Sequence, residues 1–444
     1  MHALYTVAIF AVFILASPYF VYQAIRYRKY VGSLPQRLGY LPLSFNLDGD
    51  ASIWIHAVSV GEVLTARALV ADLRERYPRL RLFVSTTTMT GQQVARTHLQ
   101  QVDGVFFFPF DLAFIIRRTL RLVKPRLFLM METELWPNLL RKCRKQGVKT
   151  ALVNGRISIR SFPRYKLARF FFKEVLADVD RFCMQGEQSA QRIIEMGADP
   201  NRVVITGSLK FDSVELPSAL TAGRGAHRVL RYFKVRAGRP VVIAASTLKG
   251  EEDIVLEAFR PVQRAWPESL LIIAPRKPER FGEVFDLVRN SGFAVARRTD
   301  LPVDAEPRQD VVVLDTIGEL PHIFPVASAV FVGGSLVDWG GHNILEPAIH
   351  GKAILFGPHM QNFAEIAQAF VEGQGAIQVA SAREFSDQLF KVLSDPVLRA
   401  RLGAAARALV EANRGAKART LDAIAAMFPS DSPRGQVRPF RIVN

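Results

Sequence analysis

Short apolar runs alternate with helix-like stretches along most of this chain. Seven such runs lie between residues 53 and 206, and after Pro240 the same alternation restarts with five more. Apolar runs of strand length separated by helical patterns are typical of buried parallel strands in α/β sheets. We therefore predict two doubly wound, Rossmann-like domains. The predicted strands are Ile53–Ala57, Leu82–Ser85, Val105–Phe108, Leu127–Met131, Thr150–Val153, Phe182–Gln185 and Val203–Thr206, then VVIAAS, LLIIAP, VVVLD, AVFVGG and AILFG.

Breaks in this alternation set the predicted domain limits. Between residues 207 and 239, Pro217, Gly223 and Gly225 interrupt the pattern and indicate a connection. The predicted domains are 30–212 and 213–428, with an anchor at 1–29 before them and a loose tail at 429–444 after them. Because ligands bind beyond the carboxyl ends of strands in open α/β sheets, we expect the two domains to face each other across a cleft.

The start of the chain has the composition of a membrane anchor. Leu4–Ile25 carries no charged residue over about 22 positions, which is enough to cross the hydrocarbon core as a helix. Arg26, Arg28 and Lys29 follow, so the positive-inside rule places the remainder of the chain in the cytoplasm. Pro18 would also permit a bent helix that lies in one leaflet. A cleaved signal peptide is the alternative, but its charged n-region is missing.

The amino-acid composition limits the classes of partner and ligand that we expect. Lys and Arg number 58 against 41 Asp and Glu, a net charge of +17, which favours an acidic lipid surface or a phosphorylated substrate. We find no nucleic-acid-binding module and therefore expect no nucleic acid partner. With only Cys143 and Cys183, a disulfide framework is not expected. The histidines show no zinc spacing, and Asp48 and Asp50 lie in a turn, so no metal site is predicted. The oligomeric state is left open.

The most informative motif is the glycine-rich segment Gly333–Ala348, read GGSLVDWGGHNILEPA. Gly340 and Gly341 would let the backbone approach a ligand, and a helix beginning near Asn343 would present free N–H groups to an anion. Glu346, in the first turn of that helix, could accept hydrogen bonds from ribose hydroxyls. The alternative is an ordinary strand–turn–helix connection with a favourable N-terminal Glu.

Three more loops follow strands of the same predicted sheet. Ser246 and Thr247 precede a helix whose N-terminus could hold a phosphate. Arg276 and Lys277 stand where they could clamp a phosphate or a carboxylate. The backbone of Asp315–Leu320 could read the edge of a base. Each loop alone could be a cap, a turn or surface charge, but four such loops on one sheet favour a nucleotide-sugar site.

The first predicted domain supplies acids and arginines. Glu62 begins the helix after the first strand and is a candidate general base, although a Glu near a helix start is also ordinary dipole chemistry. Glu132 and Glu134 follow another strand. An arginine cluster could be a solvated face or could bind the phosphates of an acceptor, and it comprises Arg156, Arg160 and Arg164. The signatures of nicotinamide enzymes, P-loop enzymes and serine hydrolases are missing.

Taken in order, these motifs resemble those of the 3-deoxy-D-manno-octulosonic acid (Kdo) transferases of lipopolysaccharide assembly. The resemblance extends from the anchor to about residue 425. It is carried by HAVSVGE, ETELWPN, NGRIS, GSLKFD, the PR and PERF parts of APRKPERF, DTIGEL, GGHNILEPA and GPHMQNF.

The resemblance implies a B-type glycosyltransferase (GT-B) fold and an inverting transfer of Kdo from CMP-Kdo to a lipid A precursor, lipid IVA. It also implies no metal or other cofactor, and anchorage at the cytoplasmic face of the inner membrane. Glu62 matches the family's proposed general base. Positions expected to bind the acceptor are Glu132, Arg156, Arg160 and Arg164. Positions expected around the donor are Lys210, Ser246, Thr247, Arg276, Lys277, Gly318, Glu319, Leu320, Gly341, His342, Asn343 and Glu346.

Two positions depart from the family pattern. Leu248 stands where the family usually has His after Ser-Thr, and Lys277 stands where it usually has His between Arg and Pro. Lys277 keeps a cation, whereas Leu248 loses a hydrogen bond. The alternatives are a membrane-associated GT-B transferase that uses a UDP-sugar and a lipid acceptor, a sugar-nucleotide epimerase, and a non-catalytic lipid-binding scaffold. The number of Kdo units added and the acyl-chain preference are not specified by the sequence.

Overall fold

Two parallel sheets of seven strands each organise the fold. The computed structural model describes residues 2–27, 32–158, 161–214 and 224–428. The chain divides into a first unit, Met1–Ser213 together with Arg414–Asn444, and a second unit, Val214–Asn413. Each unit is a doubly wound α/β domain, so the prediction of two such domains is confirmed.

The first sheet has the strand order β3-β2-β1-β4-β5-β6-β7. Its strands are β1 Ser52–His56, β2 Arg81–Thr86, β3 Gly104–Phe107, β4 Pro125–Met131, β5 Lys149–Gly155, β6 Arg181–Met184 and β7 Val203–Ile205. The helices of this unit are α1 His2–Tyr27, α2 Leu34–Arg37, α3 Val60–Arg76, α4 Met89–His98, α5 Ala113–Val123, α6 Pro137–Lys145, α7 Phe162–Leu167, α8 Arg169–Leu176, α9 Glu187–Glu195 and, near the end of the chain, Ala416–Met427.

Both faces of this sheet are buried, which explains the continuous apolar runs in the sequence. In β1, Trp54 packs in one cluster with Phe83 and Phe128, whereas Ile53 and Ile55 pack in the cluster on the opposite face. All seven predicted strands of this unit are present, with ends that differ by one or two residues.

The second sheet has the order β10-β11-β9-β8-β12-β13-β14. Its strands are β8 Val241–Thr247, β9 Leu270–Pro275, β10 Val295–Arg297, β11 Val311–Val313, β12 Ala329–Val332, β13 Ala353–Phe356 and β14 Ile377–Gln378. The helices are α10 Arg224–Leu230, α11 Glu251–Ala265, α12 Phe281–Asn290, α13 Leu320–Ile323, α14 Leu345–Ile349, α15 Ala364–Glu372, α16 Ala382–Ser394 and α17 Pro396–Asn413; Ala416–Met427 is α18. The five predicted strands are present, and β10 and β14 were not predicted.

The strand order reverses once in each sheet. In the first unit β1 lies between β2 and β4, and in the second unit β8 lies between β9 and β12. The connections that leave β1 and β4, and those that leave β8 and β12, therefore diverge at a topological switch point. Loops at such a point are where open α/β sheets bind ligands.

The C-terminal helix α18 belongs to the first unit. Leu421 and Ile424 join the core beside the first sheet. The Asp212 carboxylate accepts hydrogen bonds from the backbone N–H groups of Gly415, at 2.8 Å, and Lys417, at 2.6 Å. The structure thus differs from the predicted domain limits, which assigned residues up to 428 to the second domain. The chain returns to its first unit through contacts distant in sequence.

Helix α1 packs against the first unit near the start of α6. The Tyr5 hydroxyl donates to the Asp111 carboxylate at 3.1 Å, and the Thr6 hydroxyl donates to Asn138 Oδ1 at 2.8 Å. Of the helices in the described parts of the chain, none is both long and apolar enough for a membrane span. The anchor therefore stays a prediction. Its basic flank at residues 28–29 and the predicted tail at 429–444 lie outside the described residues.

Candidate active site

Glu62 lies at the switch point of the first unit, in the first turn of α3. Its Oε2 accepts a hydrogen bond from the backbone N–H of Val58 at 2.8 Å, and its Oε1 accepts one from the Ser59 hydroxyl at 3.1 Å. Ser59 is the residue before the helix, so the Glu folds back over the connection much as in a capping box. These contacts fix the carboxylate above the carboxyl end of β1.

The loop that leaves β4 brings two further acids to Glu62. Glu132 has φ of +56°, a conformation that costs free energy for a residue with a side chain. Its backbone N–H donates to the carbonyl of Val153 in β5 at 2.9 Å, which holds this conformation. We call Glu62, Glu132 and Glu134 the carboxylate cluster.

The environment of the carboxylate cluster raises the pKa of two of its members, Glu62 and Glu134. Burial, with the charges of Glu132 and Glu134 adding to it, raises the pKa of Glu62 to about 7, against the opposing hydrogen bonds from Val58 and Ser59. Burial and the charge of Glu132 also raise the pKa of Glu134. A carboxylate that exchanges its proton near pH 7 is suited to general base catalysis.

His56, the last residue of β1, lies beside the carboxylate cluster. Its Nε2 is 3.9 Å from Glu134 Oε2 and has no hydrogen-bond partner within the described ranges, while its Nδ1 is 3.0 Å from the Ser85 hydroxyl. Complete burial lowers the pKa of His56 to about 3, so the ring is neutral and forms no ion pair with Glu134 at neutral pH. The sequence showed His56 only as the first letter of a motif.

The predicted cations of the first unit lie around the same loops. Lys210 Nζ is 4.0 Å from Glu132 Oε1. Arg156 follows β5, and its carbonyl accepts a hydrogen bond from the hydroxyl of Thr133. Arg164 in α7 is exposed, and its charge and that of Glu134 both act on the pKa of Tyr165. Arg160 lies outside the described residues.

The switch point of the second unit begins with a bulge in β8. Ser246 has φ of +57°, and the register to β9 shifts between Ala245 and Thr247. A Cβ on Gly333 would lie 2.6 Å from the Ser246 carbonyl oxygen, so a side chain there would force the two loops apart. The Thr247 hydroxyl is fully buried and has no hydrogen-bond partner among the residues described. A bulge next to a site typically redirects a side chain toward a ligand.

The helix after this bulge is the one whose N-terminus was predicted to hold a phosphate. Helix α11 begins with Glu251, Glu252 and Asp253. The Glu251 carboxylate accepts from the backbone N–H of Leu248 at 2.9 Å and occupies the position of an external anion. Negative charge in the first turn is good helix chemistry. Phosphate binding at this helix start stays a prediction.

The glycine-rich loop after β12 adopts the conformation its glycines allow. Gly340 has φ of +108° and Gly341 of +75°, as predicted for a close approach of the backbone. The following helix, α14, begins at Leu345, two residues after the predicted start near Asn343, and has five residues. Asn343 caps this turn, with Oδ1 accepting from Leu345 N–H at 3.1 Å and Nδ2 donating to Glu346 Oε1 at 3.0 Å.

Two side chains of this segment, His342 and Glu346, have polar groups that could bind an anionic or hydroxyl-rich ligand. His342 is half-buried, and its Nε2 has no hydrogen-bond partner in the described part of the chain. Burial and the charge of Arg276 lower the pKa of His342 to about 4. Burial raises the pKa of Glu346, against the hydrogen bond from Asn343 and the charge of Arg276. Because the charge of Arg276 acts on both groups, the loops after β9 and β12 are close enough to interact electrostatically.

The cations of the second unit are available to an external anion. Arg276 is exposed and forms no salt bridge with any described residue, and its backbone N–H donates to the Thr247 carbonyl at 3.0 Å. Lys277 Nζ lies 5.6 Å from the centroid of the Trp339 ring, and that ring is 54% exposed. We call Ser246, Thr247, Arg276, Lys277, His342, Asn343 and Glu346 the donor cluster.

The last predicted loop, Asp315–Leu320, is stabilised by hydrogen bonds to its own carboxylate, that of Glu319. Glu319 accepts two hydrogen bonds from Arg298, at 2.8 and 2.6 Å, and one from the Thr316 hydroxyl at 2.7 Å. Its carboxylate is thus occupied within the protein and supports the loop. Gly318, with φ of +84°, and Leu320 at the start of α13 leave the backbone of this turn as the part able to read a base.

Comparison with known proteins identifies the family. A family model described as 3-deoxy-D-manno-octulosonic-acid transferase (kdotransferase) matches residues 32–213. A 3-deoxy-D-manno-octulosonic acid transferase of Bordetella pertussis is 36% identical over 386 residues, covering 84% of this chain and 87% of the relative. One from Haemophilus influenzae is 34% identical over 406 residues, covering 90% and 92%. The chain belongs to the Kdo transferase family.

This Kdo transferase is therefore a glycosyltransferase, and its fold has solved counterparts. A putative UDP-N-acetylglucosamine 2-epimerase from Listeria monocytogenes is 13% identical, with a TM-score of 0.55 over 88% of this chain and 99% of the other. The enzyme of that name from Neisseria meningitidis is 12% identical, with a TM-score of 0.55 over 81% and 98%. At this identity the likeness shows the fold alone.

The structure explains one departure of this Kdo transferase from the family pattern. Leu248 is buried, 6% exposed, and its backbone N–H is used by Glu251. Its side chain therefore contributes packing rather than a hydrogen bond to a ligand. Within the described residues no group of three or more His, Cys, Asp or Glu is placed to hold a metal ion. Transfer without a metal stays a prediction.

Proposed function

We propose that this Kdo transferase moves Kdo from CMP-Kdo to lipid IVA in a single displacement that inverts the anomeric carbon. The observation that carries the proposal is Glu62, a half-buried carboxylate whose pKa is raised to about 7 at the switch point of the first unit. Deprotonated Glu62 accepts the proton of the attacking acceptor hydroxyl. The acceptor oxygen forms its bond to the anomeric carbon as the bond to the phosphate of CMP breaks.

The donor cluster supports the departure of CMP. Negative charge grows on the phosphate as the glycosidic oxygen leaves, and the unpaired guanidinium of Arg276 is suited to stabilise it. The unpartnered Thr247 hydroxyl and His342 Nε2 supply two more polar atoms. Glu346 and Asn343 would bind the ribose hydroxyls. Lys210, whose Nζ is 4.0 Å from Glu132 Oε1, would balance the charge of the sugar carboxylate.

We further propose that the enzyme works at the cytoplasmic face of the inner membrane. Helix α1 exposes Val7, Phe10, Ile14 and Leu15, and the net charge of +17 favours an anionic lipid surface. Arg156 and Arg164 would bind the phosphates of the acceptor. Activity on anionic vesicles should then fall as salt is added, and salt-independent activity on such vesicles would remove the electrostatic part of this proposal.

The test is a reconstituted transfer with CMP-Kdo generated in place and lipid IVA as the acceptor, read by mass spectrometry. Wild type should give a product heavier by one or more Kdo units. Glu62→Gln keeps the shape of the side chain but cannot accept a proton, so turnover should fall by roughly 10²- to 10⁴-fold. Glu75→Gln, at an exposed position of the same helix, is the control and should keep wild-type turnover.

Two outcomes would contradict the proposal. Full activity of Glu62→Gln would show that another group takes the proton. A folded wild type that transfers a sugar from a UDP donor, and not from CMP-Kdo, would instead support the UDP-sugar alternative.

A further inference from the structure

A single buried carboxylate joins the two loops of the second switch point. Glu251, the first residue of α11, is fully buried. Its Oε2 accepts from the backbone N–H groups of Leu248 at 2.9 Å and Gly334 at 2.7 Å. Its Oε1 accepts from those of Ser335 and Leu336, both at 3.0 Å. Four backbone donors from two loops thus converge on one side chain.

These loops follow neighbouring strands, and the Glu251 carboxylate fixes their positions relative to each other. Strand β8 pairs with β12 through Ala245 and Val332, immediately before the two loops begin. Gly334, Ser335 and Leu336 present consecutive N–H groups, an arrangement that binds anions. Because Glu251 occupies these N–H groups from within the protein, an external phosphate has no place there. Glu251 holds the loops and does not contact the donor.

The segment that Glu251 holds is packed against donor-cluster residues. A Cβ on Gly334 would lie 3.0 Å from the His342 ring, and the Gly334 carbonyl accepts from Gly341 N–H at 2.7 Å. A Cβ on Gly333 would lie 2.6 Å from the Ser246 carbonyl oxygen. Contacts this close leave little freedom, so a shift of residues 334–336 would move His342 and the Ser246 bulge with it.

We propose that Glu251 is a positioning residue of the donor site, which fixes the loop after β12 to the loop after β8 and so presets the atoms that bind the nucleotide. This proposal rests on the donor site described under Proposed function. It predicts a selective loss of donor binding, because the acceptor-side residues belong to the first unit. Glu251→Gln retains the size of the side chain but puts an NH₂ group, which cannot accept, against backbone donors.

The experiment measures the dissociation constant of CMP by titration calorimetry on the full-length protein, with folding checked by near-UV circular dichroism. Glu251→Gln should weaken CMP binding by about tenfold or more, because at least one buried N–H loses its acceptor and the loops separate. In transfer assays the KM for CMP-Kdo should rise while the KM for the lipid acceptor stays within about twofold.

Asp111→Asn is the matched control. Asp111 is also a buried carboxylate, 3% exposed, that accepts from two backbone N–H groups at a helix start, those of Asn138 and Leu139. It belongs to the first unit, so the variant should lose stability yet bind CMP as wild type does. This control separates a general effect of a damaged core from an effect on the donor loops.

The outcomes are decisive in either direction. A folded Glu251→Gln protein that binds CMP with the wild-type constant would overturn the proposal. If that variant does not fold, Glu251→Asp keeps the charge but is one methylene too short to reach both loops, and unchanged CMP binding by it would equally overturn the proposal. If wild type binds UMP and not CMP, the proposed donor is wrong, and the same comparison made with UMP still tests Glu251.

Discussion

The two switch points share a topology but have opposite chemistry. In the first unit the loops after β1 and β4 carry acids that remain partly accessible, and the charges of Glu132 and Glu134 add to the burial that raises the pKa of Glu62. In the second unit the acid at the equivalent point, Glu251, is turned inward onto backbone N–H groups. The exposed groups there are the cations Arg276 and Lys277. If the proposed function is correct, the same architecture serves a proton acceptor in one unit and an anion-binding site in the other, according to where its carboxylate points.

The largest expected effect on donor binding comes from removal of the Arg276 side chain. Arg276→Gln should raise the dissociation constant of CMP by roughly 10- to 100-fold, since a charge-assisted hydrogen bond to phosphate contributes about 1.5–3 kcal/mol. Glu62→Gln should leave that constant unchanged. Titration calorimetry with both variants measures the contrast.

The control for this contrast is Arg289→Gln, an exposed arginine of α12 paired with Asp286. It should change CMP binding by less than about twofold, because surface pairs contribute little. If Glu62→Gln weakened CMP binding as much as Arg276→Gln does, the assignment of base and anion-binding roles to separate units would fail.

A second prediction concerns the pH dependence of transfer. Because Glu62 acts deprotonated and its pKa is raised to about 7, kcat should fall as pH drops through that value. The charges of Glu132 and Glu134 contribute to this raised pKa, so Glu134→Gln should move the acid limb to lower pH. The measurement is a profile of kcat against pH for both proteins. An acid limb that stays in place would show that the charge of Glu134 does not contribute to the pKa of Glu62.

Local patterns predicted much of the fold and the conformation of the key loop. Apolar runs located twelve of the fourteen strands in the described residues. The other two, β10 (Val-Ala-Arg) and β14 (Ile-Gln), contain no run of three apolar residues, whereas the equally short β7 and β11 do. Gly340 and Gly341 were predicted to let the backbone approach a ligand, and both have the positive φ that glycine accommodates most readily.

Features that depend on contacts distant in sequence were not predicted. Helix α18 returns to the first unit through the contact of Asp212 with Gly415. Glu251 was not among the residues predicted from the sequence, although its spacing from Leu248 is that of a capping box. This spacing gives no sign that the same carboxylate also binds the loop at Gly334, 83 residues away. Hydrophobic periodicity indicates which face of a helix or strand is buried, but it does not indicate which distant element packs against that face.

The smallest expected effect comes from Lys277, where the chain departs from the family pattern. Its ammonium lies 5.6 Å from the Trp339 ring centroid at an exposed position, and such a contact contributes about 0.5–1 kcal/mol. Lys277→His should therefore weaken CMP binding by no more than about fivefold at pH 8, where imidazole is neutral. The loss relative to wild type should shrink at pH 6, where imidazole gains charge. A loss above tenfold at pH 8 would make Lys277, and not Arg276, the main contact of the phosphate, and would place the decisive cation of this unit at the position where the sequence is unusual.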